Sequence, residues 1–480
     1  MRKKLFLLVI LLSLRTPLFS QERFRKSPPF PEPLQELRLP PIESAILTNG
    51  LTLSLVFREN LSLISLQLVI LAGESSSPPN LPGMATFTAN MLDRGTLSLS
   101  SSRIEETIES TGGDFSISTS LDYSSFTLNF LEEYIDKALD ILSKMILQPA
   151  FLEREIENVK RTMFYDLLDK AKDPEFLAKR LLLQLLFKNH PYSKISFNED
   201  FIKNMSQKDV LSFFDKYYRP NNAILVLSGN LNLTTASKKV SHYLNTWENK
   251  DLERSFLPPP PPNDKEKVCF IDLPQAKDCT IYLGNVVLPI TSPDFFPFIV
   301  LNQVLGGTPN SRLFMNLRES KGYAYFAFSD VEFYKSCGVF FVKTKVTPEV
   351  AYTSIQEILK EIRSVIEEKI STFEIEQAKS YLIGNFPLKI ERFDNFSSKI
   401  SDIKAFRLGE EHWNKYYENI MLIDSEKVFE VAQKYPLLTP IIVVVGDKNV
   451  VIESLKDFEK VEVYNSKGIL QYTLTKGEDK

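Results

Sequence analysis

The stretch "DVLSFFDKYYRPNNAILVLSGN", residues 209–230, returns in altered form as "KVFEVAQKYPLLTPIIVVVGD", residues 427–447. Within the first copy, "NNAILVLSGNL" contains an apolar run at residues 223–227 and predicts a buried strand that ends in Gly229. Three positions match between the copies at offsets of 218, 218 and 217, namely Val210 with Val428, Tyr217 with Tyr435, and Gly229 with Gly446. So steady an offset indicates an internal duplication of about 215 residues.

A run of five prolines, residues 258–262, lies between the two copies. Consecutive prolines form neither a helix nor a paired strand, and they behave as a stiff spacer. We therefore predict an N-terminal domain at 41–250, a proline-rich linker at 251–264 and a C-terminal domain at 265–475.

Strand and helix patterns alternate irregularly through both halves, which predicts an α+β fold. The segment "ILTNGLTLSLVF" has an Asn49-Gly50 turn between two strand-like runs, a strong signal for a hairpin. Residues 153–187 form one long helical stretch by pattern. After the prolines, "YAYFAFSDVEFYKSCGVFFVKTKV" predicts a further pair of strands.

The N-terminus and the charge balance indicate the compartment and exclude one class of partner. Residues 1–20 have a basic start and then an apolar run that is about half the roughly 20 residues needed to span a membrane. An export signal, a proline-rich leader at 21–40 and a periplasmic mature chain without a membrane span are expected; an uncleaved N-terminal tether is the alternative. A net charge of -4 among 480 residues makes nucleic acid an unexpected partner.

Several blocks of the chain resemble one enzyme family. They are "GESSSPPNLPGMATFTANMLDRGT" (73–96), "IESTGGDFSISTSLDYSSFTLNFLEEYIDKALDILSKMILQPAF" (108–151) and "LNQVLGGTPNSRLFMNLRESKGYAY" (301–325). Over roughly residues 41–475 the chain is similar to the pitrilysin/insulinase-like zinc metallopeptidases, or inverted zincins, in their short two-domain branch. The resemblance implies two homologous domains, each a mainly antiparallel sheet packed with helices, arranged as a half-clamshell.

The zinc motif of that family is erased here. Active members carry H-x-x-E-H, in which two imidazoles one helical turn apart hold zinc and the glutamate acts as the base. The three corresponding positions are Thr86, Ala89 and Asn90. Because ligands and base are lost together, we expect this chain alone to bind no metal and to hydrolyse nothing.

Asp166 is what remains of the third ligand position. The family places a glutamate there on the following long helix, and the supporting acidic residue seven positions earlier is Val159 in this chain. Asp166 alone cannot hold zinc. The three histidines, His190, His242 and His412, lie too far apart in sequence to form a local pair, and each is expected to be a surface or packing residue.

The second half keeps an arginine and a tyrosine that the family uses. Arg318 and Tyr325 are separated by seven residues, the family's spacing for a pair that binds the substrate backbone and stabilises the oxyanion. A guanidinium offers fixed donors, and a phenol can donate to a developing negative oxygen. The alternative is that Arg318 is a solvated cation at a helix end and that Tyr325 is an inward-facing strand aromatic.

These features predict a zinc-less subunit of a heterodimeric metallopeptidase. A homologous partner with H-x-x-E-H would supply the zinc, this chain would supply Arg318 and Tyr325, and the substrate would be a peptide. The alternative is a non-enzymatic peptide-binding or scaffold protein of the same fold. In either case "GGDFSISTSLDYSSFTLNF" resembles the family's edge strand, which pairs with extended peptide, although an ordinary sheet strand has the same pattern.

Overall fold

Two mixed β-sheets packed with helices form this computed structural model, which describes residues 39–59, 61–195, 199–252 and 257–476. The predicted export signal, and all of the predicted leader except its last two residues, lie outside these ranges. The arrangement is α+β, as the pattern of the sequence predicted.

The first sheet has six strands in the order β1-β2-β6-β3-β5-β4. Their bounds are β1 Ile42–Ile46, β2 Thr52–Phe57, β3 Leu63–Ile70, β4 Asp114–Thr119, β5 Ser124–Leu131 and β6 Ala223–Gly229. The predicted hairpin is confirmed: β1 pairs antiparallel with β2, and Gly50 adopts a φ of 88° in the turn, a conformation that glycine accepts without strain.

The second sheet has seven strands in the order β13-β12-β7-β11-β8-β10-β9. Their bounds are β7 Lys267–Asp272, β8 Cys279–Val287, β9 Ala324–Phe333, β10 Gly338–Val346, β11 Ile441–Gly446, β12 Lys460–Tyr464 and β13 Leu470–Thr475. The predicted strand pair of residues 323–346 is therefore β9 and β10, which pair antiparallel.

The two sheets share one internal order. β2-β6-β3-β5-β4 in the first corresponds to β7-β11-β8-β10-β9 in the second. The pairs β2–β6 and β7–β11 are parallel, and the other pairs in both series are antiparallel. A shared order with shared strand directions is the expected result of a duplicated domain. In both sheets the final strand of the series, β4 or β9, lies at an edge.

Helices cover the sheets. Their bounds are α1 Met84–Asn90, α2 Ser101–Glu109, α3 Ile135–Leu147, α4 Glu153–Lys170, α5 Pro174–Phe187, α6 Glu199–Asn204, α7 Gln207–Tyr217, α8 Leu233–Leu244, α9 Phe295–Gly306, α10 Arg312–Phe314, α11 Ala351–Glu367, α12 Thr372–Ile390, α13 Phe393–Ala405, α14 Tyr416–Met421, α15 Ser425–Lys434 and α16 Lys448–Leu455. A π-helical turn, Met315–Ser320, continues α10.

The helical stretch predicted over 153–187 is two helices rather than one. α4 ends at Lys170, and α5 begins at Pro174 with the Asp173 side chain accepting from the Glu175 N–H. Proline lacks the N–H that a continuous helix would need but is favourable in the first turn. The break at this point lets α5 leave its own half of the molecule.

Each sheet is covered on one face by a helix from the other half of the sequence. α5 packs on β8 and β11 of the second sheet, and α13 packs on β3 and β6 of the first. The Tyr282 hydroxyl donates to the Glu175 carboxylate across the first of these contacts at 3.2 Å. Across the second, the buried Ser401 hydroxyl donates to Gln67 Oε1 at 2.6 Å. The halves are thus packed reciprocally.

The proline run is irregular and attached to the domain surfaces at both ends. The Pro258 carbonyl accepts a hydrogen bond from His190 Nε2 at 2.7 Å. Beyond the last proline, the Asn263 N–H donates to Asn285 Oδ1 at 2.8 Å. Over the described parts of the chain, no helix has the length and apolar character needed to cross a membrane.

Candidate functional site

The helix that carries the erased zinc motif, α1, begins over a buried carboxylate. Glu74 precedes it in a short 3-10 turn and is 7% exposed. Its Oε2 accepts from the Gly83 N–H at 3.0 Å and from the Ser77 hydroxyl at 2.9 Å, while Oε1 accepts from the Thr86 N–H at 2.9 Å. The carboxylate therefore caps a helix N-terminus, where the backbone N–H groups and the helix dipole favour negative charge.

Thr86, the first of the three erased positions, takes part in this cap. Its hydroxyl also donates to Glu74 Oε1, in addition to the bond from its N–H. Burial raises the pKa of Glu74, and the hydrogen bonds from Thr86, Ser77 and Gly83 oppose that rise. The structure thus uses Thr86 as a structural donor to a buried carboxylate.

The other two erased positions offer no ligand or base. Ala89 is fully buried in the core of the first domain, and Asn90 is half-buried at the last turn of α1. A methyl group can neither accept a proton nor bind a metal, and an amide is a weak ligand for zinc. α1 therefore carries the three motif positions without imidazole or carboxylate groups.

The remnant of the third ligand position is a lone exposed carboxylate. Asp166 lies on the exposed face of α4, and Val159, seven residues earlier, is buried at 5% exposure in the core. Across the residues that the structure describes, no three His, Cys, Asp or Glu side chains come close enough together to hold a metal ion. These residues do not fit a zinc site.

The three histidines lie apart from α1 and from one another. His190 bridges the Tyr192 N–H and the Pro258 carbonyl, His242 lies exposed on α8 against the Tyr243 ring, and His412 packs against Phe295 and Phe296. Each occupies a packing or surface position of the kind that the sequence led us to expect.

Arg318 and Tyr325 lie at the edge of the second sheet, where the Arg318 side chain contacts the backbone just before Tyr325. Arg318 is exposed on the π-helical turn Met315–Ser320, and its Nη1 donates to the Ala324 carbonyl at 3.2 Å. Tyr325 follows directly, at the start of β9. The Arg318 guanidinium is thereby hydrogen-bonded to the peptide bond that precedes Tyr325.

A β-bulge explains why Tyr325 faces outward. In the pairing of β10 with β9, Lys345 lies opposite Phe326 and Val346 lies opposite Ala324, so Tyr325 is the extra residue of the bulge. Bulges commonly redirect a side chain at a sheet edge. Tyr325 is 54% exposed, with the Lys345 ammonium 5.8 Å from its ring centre. The alternative of an inward-facing strand aromatic does not hold.

Two features of the site were not predicted from the sequence. The role of Glu74 in capping α1 was missed, although its position shortly before Gly83 and the start of the helix was a usable signal. The bulge at Tyr325 was also missed, because the alternating pattern of β9 contains no residue type that marks it.

Family models match most of the described chain. The family model described as "Insulinase (Peptidase family M16)" matches residues 58–200, and the model described as "Peptidase M16 inactive domain" matches residues 204–382. The chain belongs to peptidase family M16. Its two matches follow each other along the chain, as expected for an M16 protein with two related domains.

Bacterial M16 relatives extend over most of the chain. A Helicobacter pylori (strain ATCC 700392 / 26695) protein described as "Non-peptidase homolog YmxG" is 28% identical over 398 residues, which cover 81% of this chain and 88% of that protein. A Bacillus subtilis (strain 168) protein described as "Uncharacterized zinc protease YmxG" is 24% identical over 352 residues, covering 73% of this chain and 85% of that protein.

Solved M16 structures share the fold. A Pseudomonas fluorescens structure described as a peptidase M16 inactive domain matches with a TM-score of 0.79 at 20% identity, covering 85% of this chain and 98% of that one. A protease from Helicobacter pylori matches with a TM-score of 0.78 at 20% identity, covering 85% of this chain and 100% of that one. The chain is thus an M16 homologue in which the H-x-x-E-H positions are Thr86, Ala89 and Asn90, and one of its relatives is described as a non-peptidase homolog.

Proposed function

We propose that this chain is the zinc-less subunit of a heterodimeric metallopeptidase, and that Arg318 and Tyr325 complete the active site of a partner that carries H-x-x-E-H. The observation that carries the proposal is the contrast between two sites of the chain. The motif positions on α1 are occupied by Thr86, Ala89 and Asn90, whereas Arg318 and Tyr325 are both exposed and Arg318 donates to the carbonyl of Ala324, the residue before Tyr325.

The chemistry of the pair suits a peptide carbonyl under attack. As the carbonyl carbon becomes tetrahedral, its oxygen gains negative charge, and donors held in place before the reaction stabilise that charge most effectively. The Tyr325 hydroxyl can donate one hydrogen bond to this oxygen. The Arg318 guanidinium uses one N–H for Ala324 and retains others for the substrate backbone or the same oxygen.

The edge of the first sheet supports peptide as the substrate class. β4 is the outermost strand of its sheet and pairs only with β5 in the sheet order, and α1 lies against it. An extended peptide can add to such an edge through main-chain hydrogen bonds, with little dependence on its side chains. Strand addition along β4 would hold a peptide beside the helix that carries the erased motif.

The test is reconstitution with an M16 partner that carries H-x-x-E-H. We expect the isolated chain to be inactive, the mixture to cleave peptides, and Arg318→Ala or Tyr325→Phe to lower kcat by about 10²-fold or more. The matched controls are Tyr323→Phe, two residues away, and Arg363→Ala, exposed on α11. A mixture whose activity is unchanged by Arg318→Ala and Tyr325→Phe would contradict the catalytic role.

A non-enzymatic peptide-binding or scaffold protein is the second candidate. The observation that favours it is the name of the Helicobacter pylori relative, a non-peptidase homolog. A genome without an H-x-x-E-H homologue near this gene would favour this candidate, and an adjacent reading frame for such a homologue would favour the composite enzyme. In the scaffold case, peptide would bind along β4, and Arg318→Ala would leave every measured property unchanged.

A further inference from the structure

The π-helical turn that carries Arg318, Met315–Ser320, is closed by a backbone hydrogen bond that spans five residues. The Lys321 N–H donates to the Asn316 carbonyl at 3.0 Å, whereas an α-helix would use the carbonyl four residues back. π-Helical turns are rare in proteins. A specific interaction is therefore expected to stabilise this one.

One carboxylate joins the side chains of the same two residues. Glu357, on α11, accepts from Asn316 Nδ2 through Oε2 at 3.1 Å and from the Lys321 ammonium through Oε1 at 2.9 Å. Glu361, one turn further along α11, accepts only from Asn316 Nδ2, at 2.6 Å, among the hydrogen bonds of the described residues. Glu357 thus bridges the two residues whose backbones close the π-helical turn.

The bridge matches the π-helical arrangement rather than an α-helical one. Each residue of an α-helix turns the chain by about 100°, so two residues five apart point in directions about 140° apart. The wider turn of a π-helix brings residues five apart toward one face. Asn316 and Lys321 both reach one carboxylate on that face. The bridge therefore stabilises the π-helical turn relative to an α-helix.

The carboxylate of the bridge is held in its charged form. The hydrogen bond from the Lys321 side chain lowers the pKa of Glu357, the bond from Asn316 acts in the same direction, and partial burial opposes them. The Lys321 and Glu357 side chains are 33% and 18% exposed, so water screens their pairing only in part. Hydrogen bonds to a charged acceptor are about twice as strong as neutral ones.

The π-helical turn in its turn sets the position of Arg318. Relaxation to an α-helix would displace the residues on one side of the turn by one position, or about 100° around the helix axis. Arg318 lies within the turn and would lose the geometry in which its Nη1 donates to the Ala324 carbonyl at 3.2 Å. Glu357 bonds to neighbours of Arg318, so its influence on the guanidinium acts through the turn.

We propose that Glu357 is a positioning residue, which selects the π-helical turn over an α-helix and thereby directs the Arg318 guanidinium to the edge of the second sheet. The consequence for catalysis rests on the proposed function, in which Arg318 contacts the substrate. The consequence for the turn is a property of the isolated chain and requires neither zinc nor a partner.

The first test is hydrogen–deuterium exchange of the isolated chain, measured by mass spectrometry over residues 315–323. Glu357→Gln keeps the size of the side chain but has one acceptor oxygen in place of two, so one of the two bonds is lost. We expect amide exchange in this segment to be at least about tenfold faster than in the parent chain, because the turn opens more often. Lys321→Met breaks the same bridge from its other end and should act in the same direction.

Two further variants on α11 are the controls for this measurement. Glu367→Gln, at an exposed position at the end of the helix, should exchange as the parent does. Glu361→Gln should have a smaller effect than Glu357→Gln, because Glu361 bonds to Asn316 and not to Lys321.

The second test uses the complex reconstituted with an H-x-x-E-H partner. Glu357→Gln is expected to lower kcat by about tenfold or more, since a small misplacement of a substrate-contacting group is costly. In an Arg318→Ala background the same change should have little effect, because Glu357 acts through Arg318. A residue that only stabilises the fold would lower activity by the same factor in both backgrounds.

Two results would overturn the proposal: unchanged exchange over residues 315–323 in Glu357→Gln, or an equal loss of activity from Glu357→Gln with and without Arg318. Failure of the proposed function has a different signature, in which the parent complex cleaves no peptide. The exchange measurement then still decides whether Glu357 holds the turn.

Discussion

Arg318 Nη1 lies 3.2 Å from the carbonyl oxygen of Ala324, the residue immediately before Tyr325. This hydrogen bond joins a π-helical turn to the first peptide of an edge strand, and both elements end at an exposed surface. π-Helical turns and β-bulges are both local irregularities that frequently occur at functional sites. Here one of each lies where the Arg318 guanidinium contacts the peptide bond that precedes Tyr325.

Arg318→Lys tests whether the guanidinium geometry is needed. Lysine keeps the charge but loses the planar fork that reaches Ala324 and a substrate at the same time. We expect kcat/KM of the reconstituted complex to fall at least about tenfold, or about 1.4 kcal/mol in transition-state stabilisation. The unfolding free energy of the chain should change by less than about 0.5 kcal/mol, because the side chain is exposed. Arg363→Lys is the control, and equal losses in both variants would contradict the assignment.

Thr86→Val tests the capping role of Glu74. The change removes a hydroxyl that donates to a buried carboxylate, and it should lower the unfolding free energy by about 1–3 kcal/mol in urea denaturation. Thr88→Val, two residues along the same helix, is a matched control. The Thr88 hydroxyl is buried and has no partner among the described residues, so its removal should be neutral or stabilising. A larger loss at Thr88 than at Thr86 would contradict the account of the cap.

The state of the erased zinc site can be measured directly. We expect the isolated chain to contain substoichiometric zinc by mass spectrometry and its melting temperature to be unaffected by 1,10-phenanthroline, because Thr86, Ala89 and Asn90 provide no imidazole or carboxylate. Asp166→Ala should change neither result. One zinc ion per chain, lost together with stability on chelation, would show that the metal is held by ligands that the chain was not expected to have.

The stability of the second domain should depend on pH through His412. Burial, assisted by the nearby Lys399 charge, lowers the pKa of His412 from 6.5 to about 4. Between about pH 6.5 and about pH 4, the His412 imidazole is therefore protonated in the unfolded chain but neutral in the folded chain. The unfolding free energy falls as pH decreases across this window. His412→Gln should lose less stability than the parent in thermal melts between pH 7 and pH 4.5.

His242→Gln, at an exposed position on α8, is the control for that experiment and should follow the parent chain. If the parent and His412→Gln show the same slope of melting temperature against pH, the buried imidazole does not control the low-pH behaviour.

Local pattern was enough to predict much of the fold. The hairpin at Asn49-Gly50 and the β9–β10 pair follow from turn chemistry and periodicity over short segments. The helical stretch predicted over 153–187 is interrupted at one point, since a capping aspartate and a proline begin a second helix at Pro174. The exposure of Tyr325 could not be read from the sequence, because it depends on how β9 pairs with β10.

The sequence by itself indicated the duplication, predicted the α+β class and showed which residues stand at the zinc-motif positions, since these depend on residue identity and spacing alone. Only the tertiary structure showed that α5 and α13 each pack on the sheet of the other half of the chain. It also showed that Thr86 donates to Glu74 and that an aromatic cavity lies between α9 and α12. The physical reason is that these contacts form between separate elements of secondary structure. The contacts of α5, of α13 and of the cavity walls join segments that are distant along the chain, and Thr86 and Glu74 belong to separate elements that only the folded backbone brings together. Their free energy comes from the burial and pairing of whole surfaces.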